Sequence, residues 1–173
     1  LPLLLQYNAS DGFYRVPGTV LYRDLATGTV LSPPGAVRDV TFGGGADDSI
    51  QATPWHSLHA YAGGGNDQLL GHELDDYLEG GPGDDLLAGG KGTDRLVGGA
   101  GFDTYVWNAG DGGDVVEDAD GAGRIIVDDV VLSGGSRDGY GAYWNAGHTV
   151  QYVFAGPSDG RGTLVINGEL RID

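Results

Sequence analysis

Residues 62–106 decide the fold, because they divide without a gap into five repeats of nine residues. The repeats read AGGGNDQLL, GHELDDYLE, GGPGDDLLA, GGKGTDRLV and GGAGFDTYV. The sixth place is always aspartate, and the eighth is always leucine or tyrosine. A flexible linker rich in Gly and Asp has no reason to keep a large side chain at every eighth place. The period therefore indicates a folded, repetitive structure.

Each repeat joins a glycine-rich turn to a short strand. Glycine accepts positive φ, so six residues can bend tightly and direct their carbonyl groups toward one point. In the three-residue strand only the eighth residue points inward, because side chains alternate along a strand. One repeat is then half of a coil, and repeats i and i+2 stack as parallel neighbours. We therefore predict an all-β fold, a parallel β-roll that forms a right-handed two-sheet solenoid.

Further repeats extend the block on both sides. Residues 43–51 form an early repeat with Asp48 in sixth place. Residues 52–61 number ten and lack aspartate in sixth place, so we interpret them as a degenerate half-turn that is bulged by one residue. Residues 109–117 restore the pattern, with Asp114 in sixth place, after an insertion at Trp107-Asn108.

Stacking places sixth-place aspartates on opposite sides of one gap. Carboxylates and backbone carbonyls there form an all-oxygen cage, which suits calcium with its six to eight oxygen ligands in loose geometry. We predict about six ions, as expected for an array of this kind. The expected pairs are Asp48 with Asp67, Asp67 with Asp85, Asp85 with Asp103, Asp76 with Asp94, and Asp94 with Asp114, while Asp103 meets Asp118 or Asp120. The expected carbonyl ligands lie around Gly44, Gly64, Gly81, Gly83, Gly90, Gly92, Gly99, Gly101 and Gly112.

Some positions near these cages are expected to contribute less. In the second repeat His72, Glu73 and Leu74 replace the usual Gly-x-Gly, so the turn of Asp76 is the least regular. Asp76 also faces the degenerate half-turn, which offers no aspartate. The fifth-place residues Asp47, Asp75 and Asp84 are expected to be solvated or to lie behind the metal ligands without touching the ion.

The degenerate half-turn contains a tryptophan and two histidines. His56 and His59, three residues apart, would suit zinc on a helix. Pro54 and the flanking repeats oppose a helix. We therefore expect Trp55 to cover the stack.

The last three repeats of the block match G-G-x-G-x-D-x-U-x without a departure, and the closing run DTYVWNAGDGGDVVEDADGAGRI resembles the ends of such blocks. On these residues the chain resembles the repeats-in-toxin (RTX) family of haemolysin-type calcium-binding nonapeptide repeats. The resemblance implies a module that folds on exposure to extracellular calcium. It also implies a secreted, extracellular bacterial protein, such as a toxin, an adhesin or a lipase-like enzyme, that leaves the cell through type I secretion machinery.

Charge is distributed unevenly along the chain. Residues 43–129 hold 18 of the 25 Asp and Glu residues but three of the nine Lys and Arg residues. Such a surface excludes nucleic acid, whose binding needs cations, and favours bound cations that offset self-repulsion. Cysteine is absent, so disulfides and thiolate metal sites are excluded.

The chain divides into three regions. Residues 1–42 are expected to be an N-terminal β cap or the tail of an upstream domain, with Thr19–Arg23 and Thr29–Leu31 paired as a hairpin. Residues 43–127 are the β-roll, and residues 128–173 are an antiparallel β capping region. We expect a monomer.

Two other functions stay open. A carbohydrate- or surface-binding adhesin module could use the C-terminal aromatic residues, and the chain could be the C-terminal fragment of a secreted hydrolase. The sequence has no G-x-S-x-G, H-E-x-x-H or P-loop motif. We therefore expect no enzyme activity and no catalytic residue in this chain. The C-terminal aromatic residues are Tyr140, Tyr143, Trp144, Tyr152 and Phe154.

Overall fold

The structure, a computed structural model, describes residues 20–32, 35–118, 120 and 122–132, together with the backbone of five strands between residues 136 and 172. All regular elements in this part of the chain are β-strands, so the all-β prediction is confirmed. Within the same residues, no helix is long and apolar enough to cross a membrane.

Two sheets of stacked strands form the roll, and a separate antiparallel sheet follows them. Sheet A runs, in chain order, through β1 (Val20–Asp24), β2 (Thr29–Leu31), β3 (Arg38–Gly44), β5 (Ser57–Gly63), β7 (Tyr77–Pro82), β9 (Arg95–Ala100) and β11 (Val115–Glu117). Sheet B contains β4 (Ser49–Gln51), β6 (Gln68–Leu70), β8 (Leu86–Ala88), β10 (Asp103–Trp107), β12 (Gly123–Val127) and β13 (Val130–Val131). Sheet C contains β14 (Ser136–Arg137), β15 (Tyr143–Trp144), β16 (Gln151–Ala155), β17 (Thr163–Ile166) and β18 (Leu170–Ile172).

From β3 to β12, successive strands alternate between sheets A and B, so each of these strands pairs with the strand two places away. β6 pairs in parallel with β8, with Leu69 opposite Leu87, and β7 pairs in parallel with β9, with Leu78 opposite Leu96. This register is the stacking of repeats i and i+2 that the nine-residue period predicts. The parallel β-roll is therefore confirmed, and sheet C is the predicted antiparallel C-terminal region.

Sheet A continues in front of the first repeat. β3 and β1 pair in parallel, and β1 also pairs with β2 in the hairpin expected from the sequence. β3 in turn pairs in parallel with β5. The roll thus extends in front of the first repeat through strands β1 to β3, which carry no nonapeptide motif.

The core is a narrow double row of eighth-place side chains. A fully buried leucine contributes about 1.5–3 kcal/mol, so one large side chain per half-coil is a thin source of stability. The buried eighth-place residues are Ile50, Ala60, Leu69, Leu78, Leu87, Leu96, Tyr105 and Val116, with Ile125 packed against them.

Two irregular stretches are accommodated without loss of register. The turn of Asp67 stacks on that of Asp48 at a separation of 19 residues, and the turn of Asp114 stacks on that of Asp94 at 20 residues. Regular repeats stack at 18 residues. The expected one-residue bulge and the expected insertion are therefore confirmed. The expectation for Trp55 is wrong, because its side chain is 74% exposed and does not cover the stack.

Candidate metal centre

The sixth-place carboxylates tie each turn to the turn before it in the stack. The N–H group of Asp67 donates to Oδ1 of Asp85 at 2.8 Å, and the N–H group of Asp85 donates to Oδ1 of Asp103 at 3.0 Å. All five aspartate pairs expected from the sequence are in contact in this way. The other three contacts run from Asp48 to Asp67 at 2.7 Å, from Asp76 to Asp94 at 2.7 Å, and from Asp94 to Asp114 at 3.1 Å.

The second carboxylate oxygen has no partner in five of the turns. There Oδ1 accepts the N–H group from the preceding turn, while Oδ2 is buried and meets no donor. A buried acceptor without a partner costs about 1–3 kcal/mol, and a charged one costs more. These five turns therefore need a positive group at Oδ2. The residues concerned are Asp67, Asp85, Asp94, Asp103 and Asp114.

Backbone carbonyls lie beside the unpartnered oxygen. A methyl group on Gly80, the first residue of its repeat, would lie 2.2 Å from Oδ2 of Asp85 and 2.9 Å from the carbonyl oxygen of Gly98. Both oxygens therefore approach the same point, and a side chain added at Gly80 would overlap them. The pocket contains oxygen atoms from two successive coils, which is the donor type that calcium prefers.

Second- and fourth-place carbonyls also face the gap between stacked turns. A methyl group on Gly99 would lie 2.2 Å from the carbonyl oxygen of Gly81, and one on Gly101 would lie 2.0 Å from that of Gly83. The structure thus directs these predicted carbonyl ligands along the stack. In the described residues no three carboxylate or histidine side chains converge. A cage here would consequently combine few carboxylates with several carbonyls.

In two turns a backbone N–H group, and not a cation, is the partner of Oδ2. The N–H group of Gly44 donates to Oδ2 of Asp48, and that of His72 donates to Oδ2 of Asp76, each at 2.9 Å. Neither Gly44 nor His72 has positive φ. In the five turns with an unpartnered Oδ2, the second and fourth places are always glycines with positive φ. These are Gly63, Gly65, Gly81, Gly83, Gly90, Gly92, Gly99, Gly101, Gly110 and Gly112.

Burial and mutual repulsion raise the pKa values of the stacked carboxyl groups. Burial, opposed by the hydrogen bond from Asp67 and reinforced by the charges of Asp67 and Asp103, raises the pKa of Asp85 to about 6. Burial, with the charges of Asp114 and Asp76, raises the pKa of Asp94 to about 8. These carboxyl groups thus resist ionisation while no cation lies among them.

The C-terminal end of the stack differs from its middle. Gly123 lies opposite Asp103 in the sheet, so the last coil has no sixth-place aspartate. Asp118 reaches this region, where its Oδ2 accepts the hydroxyl group of Tyr105 at 3.2 Å. Asp120 is exposed, and its two oxygens accept the N–H groups of Gly101 and Ala122. Of the two predicted partners of Asp103, Asp118 is therefore the better placed.

The fifth-place residues form a second ladder on the exposed side. Oδ1 of Asp84 accepts the N–H group of Phe102 at 2.7 Å, and Oδ1 of Asp75 accepts that of Thr93 at 2.9 Å. These side chains are exposed, as expected, and each also ties its turn to the following coil. Asp47 does the same with Asn66.

One buried aspartate, Asp39, was not predicted from the sequence. Asp39 lies opposite Leu58, whose N–H group occupies the sixth-place position and donates to Oδ1 of Asp76 at 2.6 Å. Asp39 therefore stands in the sixth place of an unmarked half-coil. Nδ1 of His56 contacts Asp39 at 2.8 Å, whereas the ring of His59 packs against Tyr77. The two histidines have different partners, so the structure gives no support to a zinc site.

Residues 70–105 match the family model described as the RTX calcium-binding nonapeptide repeat, in four copies. A comparison with curated proteins gave no match. The matched residues are RTX calcium-binding nonapeptide repeats, as the sequence predicted, and they include the turns of Asp85, Asp94 and Asp103. The unpartnered oxygens and the neighbouring carbonyls fit calcium as the bound ion.

Proposed function

We propose that this chain is a folding-control module of a secreted bacterial protein, and that extracellular calcium converts it from an unfolded chain to the β-roll. The observation that carries the proposal is the set of five buried carboxylates whose Oδ2 atoms have no partner. RTX repeats are typical of secreted bacterial proteins. Because the cages exist only when turns stack, binding free energy becomes folding free energy.

Charge explains why the chain would stay unfolded before export. Without a cation, ionised aspartates on successive turns repel one another and lose hydration when they are buried. The thin core offers little to offset that cost. A chain that remains unfolded in a cell low in free calcium suits the type I secretion machinery, and calcium outside the cell then completes the fold. In this proposal, any catalytic domain of the parent toxin, adhesin or lipase-like enzyme lies outside this chain.

The sharpest test compares two neighbouring substitutions that each remove one negative charge. Asp85→Asn keeps an oxygen to accept the N–H group of Asp67 but removes charge from the cage, whereas Asp84→Asn changes the exposed neighbour. We expect Asp85→Asn to raise the calcium midpoint of folding about tenfold, equivalent to about 1.4 kcal/mol, without destabilising the calcium-free chain. Asp84→Asn should leave the midpoint nearly unchanged. Equal effects of the two variants would contradict the proposal.

A carbohydrate-binding role has one observation in its favour. A cleft of about 550 Å³ is lined by Tyr77, His59 and Arg95 and also by the acidic side chains of Glu73 and Asp75. Aromatic rings beside hydrogen-bonding side chains are the groups that bind sugar rings. Binding of a glycan that Tyr77→Ala abolishes and Tyr143→Ala does not would support this second function. The reverse result would assign the binding to the C-terminal aromatic residues, whose side chains lie outside the described residues.

A further inference from the structure

A buried polar cluster lies in the N-terminal coil, residues 20–61, at the position that the sixth-place aspartates occupy in the repeats. Its centre is Asp39, whose side chain has no exposed surface. Nη1 of Arg23 contacts Oδ2 of Asp39 at 3.3 Å, and Nδ1 of His56 contacts Oδ1 at 2.8 Å. The hydroxyl group of Thr53 also donates to Oδ2 of Asp39, and Nη2 of Arg23 contacts Thr53 at 3.3 Å. The cluster therefore surrounds both carboxylate oxygens with protein groups.

This arrangement is the counterpart of the repeat cages. In the repeats, Oδ2 of a sixth-place aspartate such as Asp85 is buried without a partner. At Asp39 the same oxygen contacts a guanidinium group, which stays charged at any ordinary pH. Arg23 thus supplies from the chain itself the positive charge that the other turns lack.

We propose that the N-terminal coil, residues 20–61, folds without calcium and serves as the template on which the calcium-dependent repeats stack. The inference rests on the proposed function for the repeats, since a template matters only if the other coils need calcium. Solenoid folding can start at one repeat and spread to its neighbours. Once the N-terminal coil has folded, the edge of β5 is a formed strand with which β7 can pair. Each coil that folds next then pairs with a coil that is already in place.

Two independent features support a calcium-free coil. Residues 20–61 contain four Asp and Glu against two Lys and Arg, whereas residues 62–118 contain thirteen against two. The N-terminal coil is therefore far less self-repelling. On its outer face the ring of Phe42 stacks on Tyr61 at 5.1 Å and packs against Tyr22 at 5.7 Å, which are contacts that no metal influences.

The test is hydrogen exchange, read peptide by peptide by mass spectrometry, on the full chain in EDTA and in calcium. In EDTA we expect protected amides in residues 38–61 and exchange at the unfolded rate in residues 62–118. Calcium should then protect both segments. Exchange in residues 38–61 as fast as in residues 62–118, in EDTA, would overturn the inference while leaving calcium-driven folding intact. Full protection of both segments in EDTA would instead contradict the proposed function.

Substitutions link the protection to the internal cation. Arg23→Gln should abolish the protection of residues 38–61 in EDTA and raise the calcium midpoint severalfold, and Arg23→Lys should restore part of the protection. Arg95→Gln is the matched control, because Arg95 pairs with Glu117 on the surface and lies outside the cluster. It should leave the protection unchanged. Undiminished protection in Arg23→Gln, or equal loss in Arg95→Gln, would overturn the role of Arg23.

Discussion

The N–H group of Asp67 donates to Oδ1 of Asp85 at 2.8 Å, and the other carboxylate oxygen of Asp85 is buried with no partner. One side chain thus holds two coils together and still requires a cation. Oδ1 of Asp85 holds the coils together, and Oδ2 is the oxygen left for a cation. Stacking and metal binding therefore depend on each other, because Oδ2 is buried only after the coils have stacked.

Aspartates with an unpartnered Oδ2 should matter more than those whose Oδ2 accepts a backbone N–H group. Asp85→Ala removes charge from the middle of the stack, whereas Asp48→Ala affects its first turn, where Gly44 already donates to Oδ2. We expect Asp85→Ala to raise the calcium midpoint strongly and reduce cooperativity, and Asp48→Ala to shift it slightly. Calcium titrations followed by tryptophan fluorescence measure both. A larger effect at Asp48 would contradict this ranking.

The hydrogen bonds of the exposed fifth-place residues predict a small loss of folding stability when one of these side chains is removed. Asp84→Ala removes the acceptor for the N–H group of Phe102, and a hydrogen bond of this kind is worth about 0.5–1.5 kcal/mol. We expect a loss near the lower end of that range in calcium, because the site is exposed. Asp84→Asn keeps the acceptor oxygen and is the control. Chemical denaturation measures the difference, and a loss at Asp84 equal to that at Asp85 would mean that the register assigned to the cages is wrong.

The close packing around Gly80, the first residue of its repeat, predicts that a side chain there disturbs the metal site. In Gly80→Ala the added methyl group would overlap Oδ2 of Asp85, at 2.2 Å, so either the oxygen or the turn must move. Gly45→Ala is the matched control, since nothing lies within 4 Å of its added methyl group. We expect Gly80→Ala to weaken calcium binding and lower the melting temperature in calcium, and Gly45→Ala to do neither. Equal melting temperatures would show that Oδ2 is not confined as the structure indicates.

The raised pKa values predict that protons stabilise the calcium-free roll. In the calcium-free roll the pKa of Asp94 is about 8 and that of Asp85 about 6, both above the ordinary value of about 3.9. The folded state thus binds protons more tightly than the unfolded state, so calcium-free stability falls as pH rises from about 4 to 8. The calcium-free chain should therefore gain β-structure as the pH is lowered from 8 to 5. The calcium midpoint should change little between pH 8 and 6, because the aspartates of the unfolded chain are ionised throughout that range and release no protons when calcium binds. Circular dichroism in EDTA at pH 5, 6, 7 and 8 measures the first effect, and a β-sheet content that rises with pH would contradict the assignment.

The strength of the sequence signal determined what could be predicted. The nine-residue period predicts the two sheets, the eighth-place core and the aspartate pairs, because each follows from one repeated geometry. Asp39 was missed because its half-coil lacks the glycines that mark a turn, and its partners Arg23 and His56 lie 16 and 17 residues away. The backbone contact of Oδ2 in Asp48 was also out of reach, because Gly44 is a glycine like those of the other turns and differs from them in its φ angle.

The most direct test of calcium-driven folding is the far-UV circular dichroism spectrum of the full chain in EDTA, in millimolar calcium and in equal magnesium. Metal removal is verified by elemental analysis of the EDTA sample. Calcium-driven folding predicts a largely unfolded spectrum in EDTA, a β-sheet spectrum in calcium, and no comparable recovery in magnesium, whose stricter octahedral geometry suits carbonyl-rich flexible turns poorly. A β-sheet spectrum that is the same with and without calcium, in protein shown to be free of metal, would contradict it.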